Sequence, residues 1–411
     1  MPTVLQETAS TGSRNIYSNA SATGPTPMKQ DISDVIDAID PMEIPLLSVL
    51  GFGQEAGPAA GADSLRYPCI QPTHSWLNDE LIPSVSLVVS SSGGPPVTSI
   101  VVTTGEGEFF DGTANAEDII MVENGHYKIT SISNDTLAVA ALDATSPAAP
   151  AVGATIYIIG NASREAILST ELTFEHTVTT QTDNYTQIFS DYVSVSGSWQ
   201  STEQYGIDNP FDRETDKKIK EVVIKLERAA TYGRRSSSLP TSNATPFRRM
   251  GGLWYYLRGV SGTNVTDASG GSLTESRLLD ILQDVWTDGG KPNTIWVGAR
   301  QKRALNNFIV PFVQTPRTEH TAGVIVGRYE SDFGDVKVVL DRYLKPDDLV
   351  VTTDEYLGIG PLKGNGRSRA FSIEDMPKRG DLTEAFIVGE YTMEVRNNTR
   401  AHGWLHNLAT T

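Results

Sequence analysis

Between Asp212 and Tyr232 apolar residues recur at intervals of three and four, at Ile219, Val222, Val223, Leu226 and Ala230, which predicts a helix with one apolar stripe. Lys217, Lys218, Lys220, Glu221, Lys225, Glu227 and Arg228 cover the other faces, and Glu221 precedes Lys225 by one helical turn in the supportive orientation. Pro210 and Asp212 mark its start and Gly233 its stop. At about 1.5 Å per residue it reaches roughly 30 Å, the width of a small domain.

Upstream the period changes from helical to alternating. Glu171 to Gln200, with LTFEHTVTT and YTQIFSDYVSVSGSW, is rich in Thr, Val, Tyr and Phe and reads as β structure. Leu65 to Val89 reads as its extended partner, with Pro68, Pro72 and Pro83 excluding a central sheet position. Two arms of about 20 residues would reach on the order of 60 Å, too long to bury within one domain. A ribbon of that kind needs a surface to lie on, and a neighbouring molecule is the natural source.

Between the arms, Ser90 to Gly160 is a compositional island opened by SSSGGPP and closed by SPAAPAVG. Short strands are predicted at 100–103, 119–122, 127–132, 136–140 and 155–159, with turns at Asn124-Gly125 and Asn134-Asp135. That pattern predicts a small inserted β barrel or sandwich, either a tolerated surface insertion or a contact module. Residues 1–30 are small and polar and read as an arm. A short helix is predicted from Asp31 to Pro41, then an apolar turn, PLLSVLGFG, from Pro45 to Gly53.

After the long helix, Arg234, Arg235, Arg248 and Arg249 flank a polar loop, and Gly251-Gly252 leads into Leu253, Trp254, Tyr255 and Tyr256, which reads as a buried aromatic strand. The arginines suit a partner's carboxylates or phosphate, or are simply solvated. Residues 272–370 alternate helix and strand: a stripe of Leu278, Leu279, Leu282, Val285 and Trp286, a buried-type strand at 294–298, a helix over 300–310, and strands at 324–328, 336–340, 349–352 and 356–360. A long alternating strand, Ala385 to Val395, follows near the end.

Composition narrows the function. The formal net charge of −17 argues against phosphate-backbone binding as the main activity and means that any self-assembly works against repulsion between copies. Cys69 is the only cysteine, which excludes an internal disulfide and a cysteine-based metal cluster. No apolar run approaches the ~20 residues of a membrane span, and the start lacks a signal-peptide core, so a cytoplasmic protein is expected.

No constellation for catalysis is found. Gly358, Gly360 and Gly364 miss the dinucleotide-binding spacing and read as a turn beside Pro361. Walker, G-x-S-x-G and His-Glu-x-x-His patterns do not occur. His74, His176 and His402 read as ordinary hydrogen-bonded residues. Asp79 and Glu80, adjacent on a strand, would point to opposite faces. No enzyme activity, cofactor or metal is expected.

The order of elements, with HSWLNDEL (74–81), NYTQIFSDYVSVSG (184–197), RRMGGL (248–253) and VGEYTMEVRNNTRAHGW (388–404), resembles the major capsid proteins of tailed double-stranded-DNA bacteriophages. These have the Hong Kong 97 capsid fold, and the likeness is to the branch with a β insertion in the extended loop. The resemblance implies an α+β fold with a long spine helix, an extended β-hairpin loop, an axial α/β domain and an inserted small β barrel. It divides the chain into an N-terminal arm with short helices (1–60), a first loop arm (61–89), the inserted β domain (90–160) and a second loop arm (161–205). A peripheral domain with the spine helix (206–265), an axial domain (266–374) and a return strand with the C-terminus (375–411) complete it. It implies hexamers and pentamers closing an icosahedral shell around phage DNA, held without sequence-specific contacts. Portal, scaffolding and decoration proteins are the implied partners, with assembly in the host bacterial cytoplasm and residence in the virion. Trp76, Leu77, Tyr185, Ile188, Phe189, Arg234, Arg235, Arg248 and Arg249 are the expected inter-subunit contacts, the apolar ones being poorly covered in a single chain. A β-rich, adhesin-like surface-binding protein is the alternative that the residues leave open.

Overall fold

The computed structural model describes residues 43–51, 64–79, 87–94, 96–103, 118–123, 125–142, 148–161, 179–204, 207–237, 247–259, 264–309 and 327–410. The expected arm at 1–30, the helix from Asp31, Asn124, Pro83, His176 and the first half of the second loop arm lie outside them.

The first described helix, α1 (Pro45–Val49), buries Leu46 and Leu47. Strand β1 (Thr73–Asn78) leads to β2 (Leu87–Ser92), β3 (Ser99–Val102), β4 (Asp118–Val122), β5 (Gly125–Ser133), β6 (Thr136–Ala141) and β7 (Thr155–Asn161). Strands β8 (Thr180–Tyr185) and β9 (Gln187–Ser196) and the short α2 (Gly197–Gln200) precede the long helix α3 (Pro210–Tyr232).

Helix α3 starts two residues earlier than expected because Asn209 caps it, its side-chain oxygen accepting from the N–H groups of Phe211 and Asp212. The predicted stripe is buried at Val222, Val223, Leu226 and Ala230. Glu227, expected on the polar face, is instead fully buried. It follows Val223 by one turn on the packed face, and its two carboxylate oxygens accept from the N–H groups of Leu46 and Leu47 at 2.8 and 3.0 Å. Gly233 ends the helix with φ −57°, not the left-handed value the stop signal suggests. Its requirement is space, since a Cβ there would sit 2.3 Å from the Ala229 carbonyl oxygen and 2.7 Å from that of Met250.

Strands β2 to β7 close into a six-stranded barrel in the order β2-β3-β6-β5-β4-β7. Among the described residues its interior is apolar but for the Tyr127 hydroxyl, with Leu87, Val89, Ile100, Val102, Ile120, Tyr127 and Leu137 buried. Residues 87–89, expected in the first loop arm, belong to its opening strand β2, with Leu87 and Val89 pointing inward. The second arm also divides. Strand β8 pairs with β1 from Thr73↔Tyr185 to Asn78↔Thr180, whereas β9 leaves the ribbon and pairs along a strand near the C-terminus.

Beyond α3, Trp254 to Tyr256 form a helical turn, with a π-helical stretch at Tyr255–Gly259, rather than the expected strand. The chain then runs through β10 (Val265–Asp267), α4 (Glu275–Thr287), β11 (Thr294–Val297), α5 (Ala299–Ile309), β12 (Arg328–Ser331), β13 (Gly334–Leu340) and β14 (Leu349–Thr352). Strands β15 (Leu357–Pro361), β16 (Lys363–Gly364), β17 (Arg367–Ser368), β18 (Ser372–Asp375), β19 (Leu382–Val395) and β20 (Gly403–His406) complete it.

Two sheets carry the body. One has the order β10-β20-β14-β11-β13-β12, with parallel pairing of β10 to β20 and of β11 to β13, and packs on α4 through Leu278, Ile281 and Leu282. Trp286, expected on that stripe, is exposed and lies beside Phe333, 5.9 Å between ring centres. The other sheet is built on β19, which pairs with β15, β18 and β9 and faces α3. The segment expected as one unit at 266–374 is thus shared: β15 and β18 pair with β19, while the C-terminal β20 enters the first sheet between β10 and β14. Gly358 is in buried strand β15, matching the strand expected at 356–360 and not the turn read from Gly358, Gly360 and Gly364. Glycine is needed there because the backbone passes close, a Cβ lying 2.9 Å from the Ser64 carbonyl oxygen.

Candidate inter-subunit interface

The β1–β8 ribbon is rooted on the far face of β19 by polar groups rather than by grease. In β1, His74, Trp76 and Asn78 face inward while Thr73, Ser75 and Leu77 face out, as alternation requires. His74 Nε2 lies 2.5 Å from Glu394 Oε1, and Arg396 approaches the other oxygen of Glu394 at 3.0 Å. Glu390, one strand repeat pair earlier on the same face, accepts from the Thr186 hydroxyl at 2.6 Å and is paired with Arg248 at 3.1 Å and Arg369 at 2.9 Å. Two buried carboxylates are thereby matched by cations and donors, which offsets the cost of removing them from water.

Asn184 completes the root. It is fully buried, donates to the carbonyls of Gly251 and Met393 at 2.9 and 2.7 Å, and accepts from the N–H of Gly251 at 2.8 Å. Arg235 pairs with Asp183 and lies over the Tyr185 ring, 4.7 Å from its centre. The Tyr256 hydroxyl donates to the Asp183 carbonyl at 2.8 Å, and burial pushes its pKa upward. Trp76 packs against Tyr256, 5.7 Å between ring centres.

The nine expected contact residues separate into groups. Trp76 and Phe189, expected to be poorly covered, are 7% and 5% exposed and belong to the core shared with α3. Both lie on the inward phase of their strands. Leu77 and Ile188, on the opposite phase, are 67% and 50% exposed. Tyr185, Arg235 and Arg248 join the root itself. Arg234 and Arg249 are exposed. Asn184, Glu390 and Glu394 escaped notice in the sequence, although Glu390, Thr392 and Glu394 fall two residues apart on one strand face and are all buried.

Glu227 is a further buried acid, apart from the root. Burial, aided by the nearby Asp341, pushes its pKa up to about 8 against the two backbone donors. It sits where α1, α3 and the β13–β14 connection meet. Around it Glu43 pairs with Arg342 at 2.7 Å and Arg228 lies over Tyr343 at 4.8 Å. The Tyr232 hydroxyl donates to Asp348 at 2.8 Å.

Among the described residues no group of three or more His, Cys, Asp or Glu side chains is placed to hold a metal ion. No helix there is long and apolar enough to cross a membrane.

No sequence among the curated proteins matches this chain. Solved structures that it resembles include the cyanophage A-1(L) capsid asymmetric unit, at 12% identity and TM-score 0.45, covering 62% of this chain and 85% of that one. Another is the holo-SrpI encapsulin complex from Synechococcus elongatus, at 13% identity and TM-score 0.38, covering 56% and 77%. Mycobacterium phage Bobi is a third, at 11% identity and TM-score 0.40, covering 59% and 79%. The family model described as SU10 major capsid protein matches residues 8–409, nearly the whole length. The chain belongs to the SU10 major capsid protein family.

Proposed function

We propose that this phage major capsid protein forms its head shell from hexamers and pentamers, in which the β1–β8 ribbon of each copy reaches over a neighbour. The carrying observation is the two-faced build of the ribbon and of β9, which follows it. Its inner face is fixed to its own chain by Asn184, His74 and Trp76, while Leu77 on the ribbon and Ile188 and Tyr192 on β9 are left as large exposed apolar groups. Surfaces of that kind are covered when identical copies meet by symmetry.

The division into peripheral, axial and inserted units belongs to the same reading, as do portal, scaffolding and decoration partners and assembly in a bacterial cytoplasm before residence in the virion. The shell encloses double-stranded DNA without reading its sequence, in keeping with a net charge of −17. Its role is structural, with no catalytic step, cofactor or metal. Electron microscopy of the purified full chain tests this reading: rings or closed shells support it, and stable monomers overturn it and favour the adhesin-like alternative. Uniform closed shells from the chain alone would remove the need for a separate scaffold. Replacing 90–160 by a short linker should leave the body folded by circular dichroism but lower particle yield and heat resistance. Unchanged particles would end the role of the barrel in assembly.

A further inference from the structure

The inserted segment is one-sided in charge. Residues 90–160 contain Glu106, Glu108, Asp111, Glu117, Asp118, Glu123, Asp135 and Asp143, against a single cation, Lys128. On its outer wall β4 and β7 run side by side, with Met121 opposite Tyr157. Ile120, Val122 and Ile156 fill the interior, so alternation sends Ile119, Met121, Tyr157 and Ile159 outward. Tyr157 and Ile159 are 42% and 55% exposed. Glu123 follows β4 at one end of this apolar wall and is exposed.

A second surface has the complementary character. Ser236 and Arg249 face each other across an antiparallel bridge. Arg234, two residues before Ser236, and Phe247, two before Arg249, share that side by the same period. Arg234, Phe247 and Arg249 are all exposed, and the Arg249 guanidinium lies 6.0 Å from the centre of the Phe247 ring. Arg235 and Arg248, on the opposite phase, are the ones engaged with Asp183 and Glu390. The outer face therefore presents two guanidinium groups and an aromatic ring, without an ion pair among the described residues.

In the order of the chain, ribbon strand β8 lies between the two surfaces. Tyr185, at the root, lies under Arg235 beside the basic face, whereas the chain enters and leaves the barrel beyond Asn78 and Thr180 at the other end of the pairing. The five intervening steps amount to about 17 Å of strand at ~3.3 Å each. Barrels carrying the same charge repel one another, so an acidic, apolar wall is matched by a basic, aromatic face and not by another barrel. Resting on the shell reading above, we propose that the β4–β7 wall of each barrel docks on the Arg234, Phe247 and Arg249 face of a second copy of this chain.

Charge exchange tests the pairing in the full-length protein. Arg234→Glu with Arg249→Glu, and separately Glu123→Arg, should each lower the yield of rings or shells at least tenfold in electron micrographs, with unchanged circular dichroism. Combining them should restore the yield to within about threefold of the original. Tyr157→Ser with Ile159→Ser should lower it without rescue by the charge exchange. As a measurement independent of those substitutions, Glu123→Cys and Arg249→Cys together should give copy-to-copy disulfides on a gel, while buried Cys69 stays unreacted. Full assembly by either charge-reversed variant, absence of rescue, or no cross-linked product overturns the docking while leaving the shell reading intact. Failure of the unaltered chain to form rings or shells overturns both.

Discussion

The barrel and the ribbon root are both β structure, yet they are held by opposite means. In the barrel, a closed ring of strands hides mainly apolar side chains such as Ile100, Ile120, Ile129 and Leu137, and closure leaves no strand edge unpaired. At the root, β1 and β8 lie on a floor containing Glu390, Thr392 and Glu394, and the fit depends on His74, Asn184, Thr186, Arg248 and Arg369. Apolar packing tolerates exchange of one hydrocarbon for another, whereas a polar floor accepts one arrangement of donors and acceptors. The barrel is therefore built to be durable and the root to be specific in direction.

Leu137→Ala should break the barrel side of this contrast most strongly, costing about 3 kcal/mol through lost burial and the cavity left behind. A lowered barrel transition in denaturant, with the body's transition unmoved, is the expected result, and a shift of both together would show that the barrel is not an independent core. Asn184→Ala should cost about 2 kcal/mol by leaving the Gly251 and Met393 backbone groups without a partner. Proteolysis should then cut the ribbon faster while the barrel stays resistant.

The smallest effect per step concerns Glu227. Its folded-state pKa is raised above the ordinary 4.5 to about 8, so the folded chain holds a proton that the unfolded chain has released. The stabilisation is fully present below pH 4.5 and is lost as pH rises toward 8, by about 1 kcal/mol per unit. Denaturant midpoints of the body should fall over that window, Glu227→Gln should flatten the slope, and a barrel transition with the same slope would contradict the assignment to the α1–α3 contact.

What could be read from the sequence follows the same division. The stripe of α3 and the alternation in β3 to β7 are local periodicities, and a window of ten or twenty residues contains all the information they need. The root is written in pairs far apart in the chain: Asn184 with Met393, His74 with Glu394, Glu227 with Leu46. No local pattern announces such partners. Glu227 looked like one more solvated charge on a charged helix, although its spacing from Val223 placed it on the apolar side. The unbroken run of β-forming residues through Tyr185 and Thr186 likewise hid the point where one strand stops serving the ribbon and the next begins serving β19. The aromatic run after Gly251-Gly252 had strand-like composition, yet it folds as a helical turn with Tyr256 against Trp76 and Asp183 of the ribbon.

The exchange of strands between the two sheets has a mechanical consequence. The backbone passes from the β11 side to the β19 side between Thr352 and Leu357, and back again between Val395 and Gly403. Parallel tethers resist twisting in a way that a single pivot does not. A change in shell curvature must then load both of these crossings together, so that the two halves slide as a coupled pair instead of swinging freely.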